Sequence, residues 1–156
     1  MKSFPKPVKK IKTKKRLSRV RKTPMGTLER KCWTIFSRYI RLRDVRKSGS
    51  VGLDWLKCYT CGKAVLFKEA EAGHFIPRGK KVYKFHECNV HAQCTRCNHY
   101  LHGNLGVYAI RLDDQYGLGF GKTLVAHQND YHKFTREELE GIIKNSLEKI
   151  KQWEAI

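Results

Sequence analysis

The sequence predicts an α+β fold: a cysteine-stapled ββα core with flanking helices behind a basic N-terminal tail. Two observations predict it. Four of the six cysteines stand in matched pairs, Cys58-x-x-Cys61 and Cys94-x-x-Cys97. That is the arrangement in which two tight turns each give two thiolates to one tetrahedral zinc and join distant stretches of chain. Strand-like residues lie between the pairs, and apolar residues recur at spacings of three and four on either side of them.

Composition bounds the rest. The chain has 156 residues, 40% of them hydrophobic, enough for one domain with a modest core that zinc would supplement. Lys and Arg number 33 against 14 acids, a formal charge of +19 with a pI near 9.9. Such a surplus attracts polyanions, so DNA or RNA is the expected partner. A membrane surface, a ribosomal role or a merely solvated basic face is less favoured. No run of roughly 18 apolar residues exists to span a membrane, and no apolar segment follows the basic N-terminus as a secretory signal would require. Reduced, metal-bound thiols in a cytosol are therefore expected over disulfides. A thioredoxin-like redox pair is disfavoured, because there are two pairs and no βαβ pattern around either.

In chain order, residues 1–24 hold eleven Lys or Arg, no acids and three prolines. They are expected to be disordered alone and to lie along phosphates. Thr27 is the predicted cap of a helix over 27–44, whose stripe is Leu28, Cys32, Ile35, Tyr39 and Leu42. Cys32 is then a small core residue, and the glycine- and serine-rich 48–52 a loop. The first knuckle occupies 54–62. Strand content over 64–76 and again at Val82-Tyr83-Lys84-Phe85 predicts a hairpin over 64–85, with a helix over 94–102 opened by the second knuckle. Asn104 is the predicted cap of a helix over 104–117 that stops at Gly117. Thr135 and Glu138 form a capping box for a helix over 135–154. Its stripe of Leu139, Ile142, Ile143, Leu147, Ile150 and Trp153 reads as core, with a dimer contact as the alternative. The zinc-stapled ββα core thus covers 54–104 within a single domain over 25–156.

Candidate chemistry sits inside this core. Hydrolysis of a phosphodiester needs a base for water and a cation for the charge developing on the phosphate. His74, between the knuckles, suits the first task; oxygen ligands for a hard ion such as Mg²⁺ or Mn²⁺ suit the second. Asn98 follows the last zinc ligand, so the zinc site fixes its position, and His102, four residues on, is expected on the same helical face. Asn89 is expected either to hold the loop's backbone or to orient the histidine. Arg38, Arg41, Arg78, Lys80, Lys81 and Arg96 are candidate DNA contacts. His91 is open between touching phosphate, supporting the site and packing beneath it. Cys88 is a minor competitor for zinc, and His99 a minor candidate for the second metal.

Several motifs in order carry a resemblance. They are Cys58 and Cys61; Glu71-Ala72-Gly73-His74-Phe75; Asn89-Val90-His91-Ala92-Gln93-Cys94-Thr95-Arg96-Cys97-Asn98; and Gly103-Asn104. This order resembles the zinc-bearing HNH (ββα-metal) nucleases of the endonuclease VII type, and more closely the phage recombination NinG (Rap) family, over about 58–117. The resemblance implies an endonuclease acting on branched DNA such as Holliday junctions or D-loops. It also implies a host bacterial cytoplasm, other recombination proteins as possible partners, His74 as the general base and the four cysteines as a structural zinc site. One departure stands out. Most HNH enzymes carry a metal-binding Asp or His just before the base, where this chain has Gly73. Strand parity puts Glu71 on the same face, one repeat back, with Glu69 farther along it as the alternative carboxylate, so Glu71, Asn98 and His102 are the expected ligands of the catalytic ion. The rival from a different class is a non-catalytic zinc-ribbon nucleic-acid binder whose histidines are structural.

Overall fold

A computed structural model of the protein describes residues 22–49 and 54–154. All but the last three residues of the expected tail, and most of the 48–52 loop, fall outside those residues. Helix α1 (Met25–Lys47) comes first, followed by strands β1 (Trp55–Lys57), β2 (Ala64–Leu66) and β3 (Glu71–His74). A 3₁₀ turn (Lys81–Tyr83) leads to β4 (Val90–Gln93), and a one-turn π-helix (Arg96–Tyr100) follows it. Helices α2 (Leu105–Tyr116), α3 (Phe120–Ala126) and α4 (Arg136–Glu154) complete the mixed α+β architecture. Among the described residues no helix is long and apolar enough to cross a membrane.

The strands form two antiparallel ribbons, β1 with β2 and β3 with β4. The hairpin predicted over 64–85 is thereby corrected. Ala64–Leu66 closes the first knuckle against β1, and Glu71–His74 pairs with residues 90–93 in the register Glu71↔Gln93, Ala72↔Ala92, Gly73↔His91, His74↔Val90. All four residues of β4 are buried, because α1 packs on one side of it and the first knuckle on the other. Burial on both faces erases the alternation that marks a half-exposed strand. Residues 82–85 have strand composition but are wound into the 3₁₀ turn, where tertiary bonds occupy their carbonyls. The carbonyl of Tyr83 accepts from Asn89 Nδ2 (3.1 Å), and that of Lys84 from His74 Nε2 (3.0 Å). Phe85 is held edge-on by Phe36 and Phe134.

The helix predicted over 94–102 is shorter and wider. The Leu101 N–H donates to Arg96 O and the Gly103 N–H to Asn98 O, five residues back in each case. The turn then ends in three left-handed residues, His102, Gly103 and Asn104. Helix α1 starts at Met25 behind Pro24, whose fixed φ suits a helix start. Thr27 lies inside the first turn, where its hydroxyl accepts from Arg30 instead of capping. At α4 the capping box forms in both directions, Thr135 N to Glu138 Oε2 at 2.7 Å and Glu138 N to Thr135 Oγ1 at 3.1 Å. The apolar stripe of α4 packs on α1. Leu28 and Cys32 meet Leu139, Ile40 and Phe36 meet Ile150, and Tyr39 stacks on Trp153 at 5.4 Å. Leu147 alone of that stripe remains 40% exposed.

Candidate functional site

The two knuckles bring Cys58, Cys61, Cys94 and Cys97 together, with all four sulfurs within 4.8 Å of one another. Three of the four are buried. The Sγ atoms of Cys61 and Cys94 are 3.9 Å apart, the spacing of two thiolates about 2.3 Å from one tetrahedral zinc. Hydrogen-bond donors reach three of the sulfurs, while burial raises the Cys61 and Cys94 thiols. The Cys97 N–H points at Cys94 Sγ (3.5 Å), Asn104 Nδ2 at Cys97 Sγ (3.7 Å), and Cys58 Sγ lies 3.4 Å from the Thr60 hydroxyl. Burial works against the Cys58 thiolate, but the Thr60 hydroxyl and the backbone N–H groups outweigh it and lower the thiol to about 7. The four cysteines are positioned to hold a metal ion and fit a structural zinc. Cys88 is outside the cage, its thiol 2.8 Å from His86 Nδ1, and Cys32 is fully buried in α1.

Beside the cage a cleft of about 560 Å³ is bordered by α1, by β3 with the loop after it, and by the π-turn. Glu71, His74, Asn98, His99 and His102 all border it, with Trp33, Ser37 and Arg41 from α1 and Arg78 from the loop. Glu71 and Asn98, 27 residues apart in sequence, meet directly, Asn98 Nδ2 donating to Glu71 Oε2 at 2.7 Å. His99 Nε2 lies 3.0 Å from the same oxygen. His102 reaches the cleft from its left-handed turn and not from a helical face shared with Asn98.

His74 packs on α1 while bordering the same cleft as Asn98 and His102. Its ring packs 4.9 Å from the indole of Trp33. A carbonyl accepts and cannot donate, so the bond from Nε2 to Lys84 O places the ring proton on Nε2 and leaves Nδ1 as the basic atom. Burial lowers this imidazole to about 4. The Lys84 carbonyl opposes the drop, while the charges of Arg78 and Lys84 add to it. His74 is therefore neutral at physiological pH.

The departure at position 73 has a steric cause. A Cβ there would stand 1.9 Å from Gln93 Oε1 and 2.9 Å from Asn98 Oδ1. The place a side chain would take is already filled by two carboxamides.

Of the other candidates, Arg41 and Arg78 border the cleft and the rest lie elsewhere. Asn89 is fully buried and clamps the loop, its Oδ1 accepting from Ile76 N (2.7 Å) and its Nδ2 donating to the carbonyls of Ile76 and Tyr83. It meets the His74 segment only through backbone, the first of the two arrangements expected of it. His91 is 1% exposed and stacks on Tyr59 at 3.7 Å. Arg43, itself bonded to Asp44, donates to its Nδ1. His91 packs beneath the ribbon and offers DNA no surface. Arg38 pairs with Glu154, Lys81 with Glu29 and Lys80 with Asn129. Arg41 is half-buried, bonded to the carbonyls of Phe67 and Ala70. Arg78 lies over Trp33, and Arg96 borders a groove at the exposed side of the cysteine cage. Sequence reasoning missed Trp33 and Gln93. The helical period of α1 treats Trp33 as off the main stripe, and Gln93 reads as a polar spacer before a knuckle.

A family model described as Bacteriophage Lambda NinG protein matches residues 4–155 of this chain. Protein ninG of Salmonella phage P22 is 29% identical over 97 residues, which cover 62% of this chain and 47% of that protein. Protein ninG of Escherichia phage lambda is 30% identical over the same shares. The chain spans about half the length of the curated relatives it matches. No solved structure matches it.

Proposed function

This chain belongs to the NinG family of phage proteins, and from that premise we propose that it is a zinc-stabilised, HNH-type endonuclease cutting branched DNA by metal-dependent hydrolysis of phosphodiester bonds. One observation carries the reading. His74, Glu71 and Asn98, drawn from β3 and the π-turn, border a single cleft held in shape by the cysteine cage.

Each residue has a task that its surroundings suit. His74 takes a proton from water at Nδ1, since Nε2 is committed to the Lys84 carbonyl. A phosphate entering the cleft raises the basicity of the imidazole through its negative charge. Glu71 and Asn98, with His102 at the rim, would hold a Mg²⁺ or Mn²⁺ ion. The donors fit a hard cation, because the carboxylate and the Asn98 carbonyl are oxygens. When bound, that ion takes up charge developing on the phosphate and the leaving oxygen. Arg41 and Arg78 supply fixed positive charge at the cleft wall. The net charge of +19 suits a substrate with several duplex arms.

The test is cleavage of a four-way DNA junction by zinc-loaded protein with Mg²⁺ or Mn²⁺. Cutting is expected, with His74→Ala slower by about 10²-fold or more. Intact strands at every dose, or full cutting by His74→Ala, overturns the assignment. Tight binding without cutting points to the non-catalytic zinc-ribbon binder.

A further inference from the structure

Gln93 is fully buried on β4, directly across from Glu71. Its Nε2 donates to the carbonyl of Gly103 at 2.8 Å and to Thr60 Oγ1 at 3.2 Å. Both amide hydrogens are thereby used and the group cannot be turned over. Its Oε1 faces the other way, buried, and among the described residues it meets no donor. Asn98 is pinned similarly. Its Nδ2 bonds to Glu71 Oε2, which fixes the way its Oδ1 faces.

Both carboxamide oxygens approach one point, the place from which a side chain at Gly73 would project, at 1.9 Å for Gln93 Oε1 and 2.9 Å for Asn98 Oδ1. Leaving the buried Gln93 Oε1 unmatched is unfavourable. A cation would match it, and amide carbonyl oxygens are ordinary ligands of hard divalent ions.

We propose that Gln93 is a ligand of the divalent ion, supplying from the neighbouring strand the oxygen that Gly73 lacks. This rests on the ion invoked under the proposed function. It also accounts for the pairing of residue types. The space beside Asn98 admits a ligand side chain from position 73 or from position 93, but not from both. Gly73 and Gln93 are one solution; an acidic residue at 73 with a small residue at 93 is the other.

The test measures Mn²⁺ binding to zinc-loaded protein without DNA, by electron paramagnetic resonance of the free ion. Broadening of the His74 and His102 imidazole signals locates the bound ion. Gln93→Met, which keeps length but loses the oxygen, is expected to weaken binding on the order of tenfold. Gly73→Asp alone meets the occupied space and is expected to lose binding or folding, whereas Gly73→Asp with Gln93→Ala regains binding. Zinc content and melting curves report whether each variant is folded. Undiminished affinity in folded Gln93→Met overturns the proposal. So does a folded double variant that binds no Mn²⁺, and this arm decides the matter if Gln93→Met fails to fold. Absence of Mn²⁺ binding by the unaltered, zinc-loaded protein removes the ion itself, a result distinct from loss of the Gln93 assignment alone.

Discussion

The indole of Trp33 lies 4.9 Å from the imidazole of His74, ring centroid to ring centroid, at a tilt of 31°. The Arg78 guanidinium stands 5.5 Å from the same indole. A residue in the middle of α1 is thus a wall of the candidate site, and the long helix belongs to the cleft as much as to the scaffold.

Trp33→Ala should open a gap beside His74 and let the ring move. A displacement of about an ångström in a reacting group costs on the order of 10² in rate, so junction cleavage should fall by about that factor while zinc content is unchanged. Trp33→Phe, which keeps an aromatic wall, should retain most of the activity. Single-turnover cleavage rates of the two variants check this.

Acid should weaken the fold in two separate windows. Burial lowers His74 from 6.5 to about 4, so between those values the unfolded chain binds a proton that the folded one refuses, and stability declines as pH falls. His91, also lowered by burial, adds to that decline. Asp44 behaves oppositely in origin. Burial opposes its charge, but its neighbours, with Arg43 bonded to it at 2.8 Å, hold it down at about 2. Its contribution is therefore kept above 3.8 and lost as pH falls from there toward 2. Melting temperatures from pH 7 to pH 2 should show both, and His74→Gln should flatten part of the upper window only.

Removing the metal from the cysteine cage should unfold the core. Structural zinc in small domains contributes about 10–16 kcal/mol of apparent binding energy. Here the cage joins the β1–β2 knuckle to the turn that carries Asn98. A strong chelator, or Cys94→Ser, should abolish cooperative melting and the Glu71–Asn98 contact together. Circular dichroism alongside zinc analysis reads this out.

Asp44→Ala should be strongly destabilising although it lies away from the cleft. Asp44 Oδ1 accepts from Arg43 Nε (2.8 Å) and its Oδ2 from the Ala92 N–H (2.7 Å). The substitution leaves a 5%-exposed guanidinium without its charge partner. Breaking a buried pair from one side costs about 3–5 kcal/mol, measurable by denaturant unfolding. Loss below 1 kcal/mol would mean that Arg43 is satisfied by the carbonyls of Glu87 and Val90 alone.

Features legible in the sequence share a physical property, in that their determinants lie within a few residues of one another. The capping box of α4 closes across three residues, and each cysteine pair spans the same interval. The stripes of α1 and α4 follow from helical geometry alone. The charge surplus needs only counting. The motifs that carried the family resemblance belong to the same group, since their order survives any uncertainty about strand boundaries.

Tertiary structure decided which strand faces β3, because Val90–Gln93 is buried on both sides and shows no period, while Val82–Phe85 has the composition but gives its carbonyls to His74 and Asn89. It decided that His74 turns to Trp33, that Asn89 is a clamp, and that His91 lies under the ribbon. It also decided why position 73 is glycine, a matter of 1.9 Å to a side chain twenty residues away. Local hydrogen bonds and periodicity are written in neighbouring residues. Which buried polar group meets which depends on distances that exist only once the ribbons, the cage and α1 have closed around them.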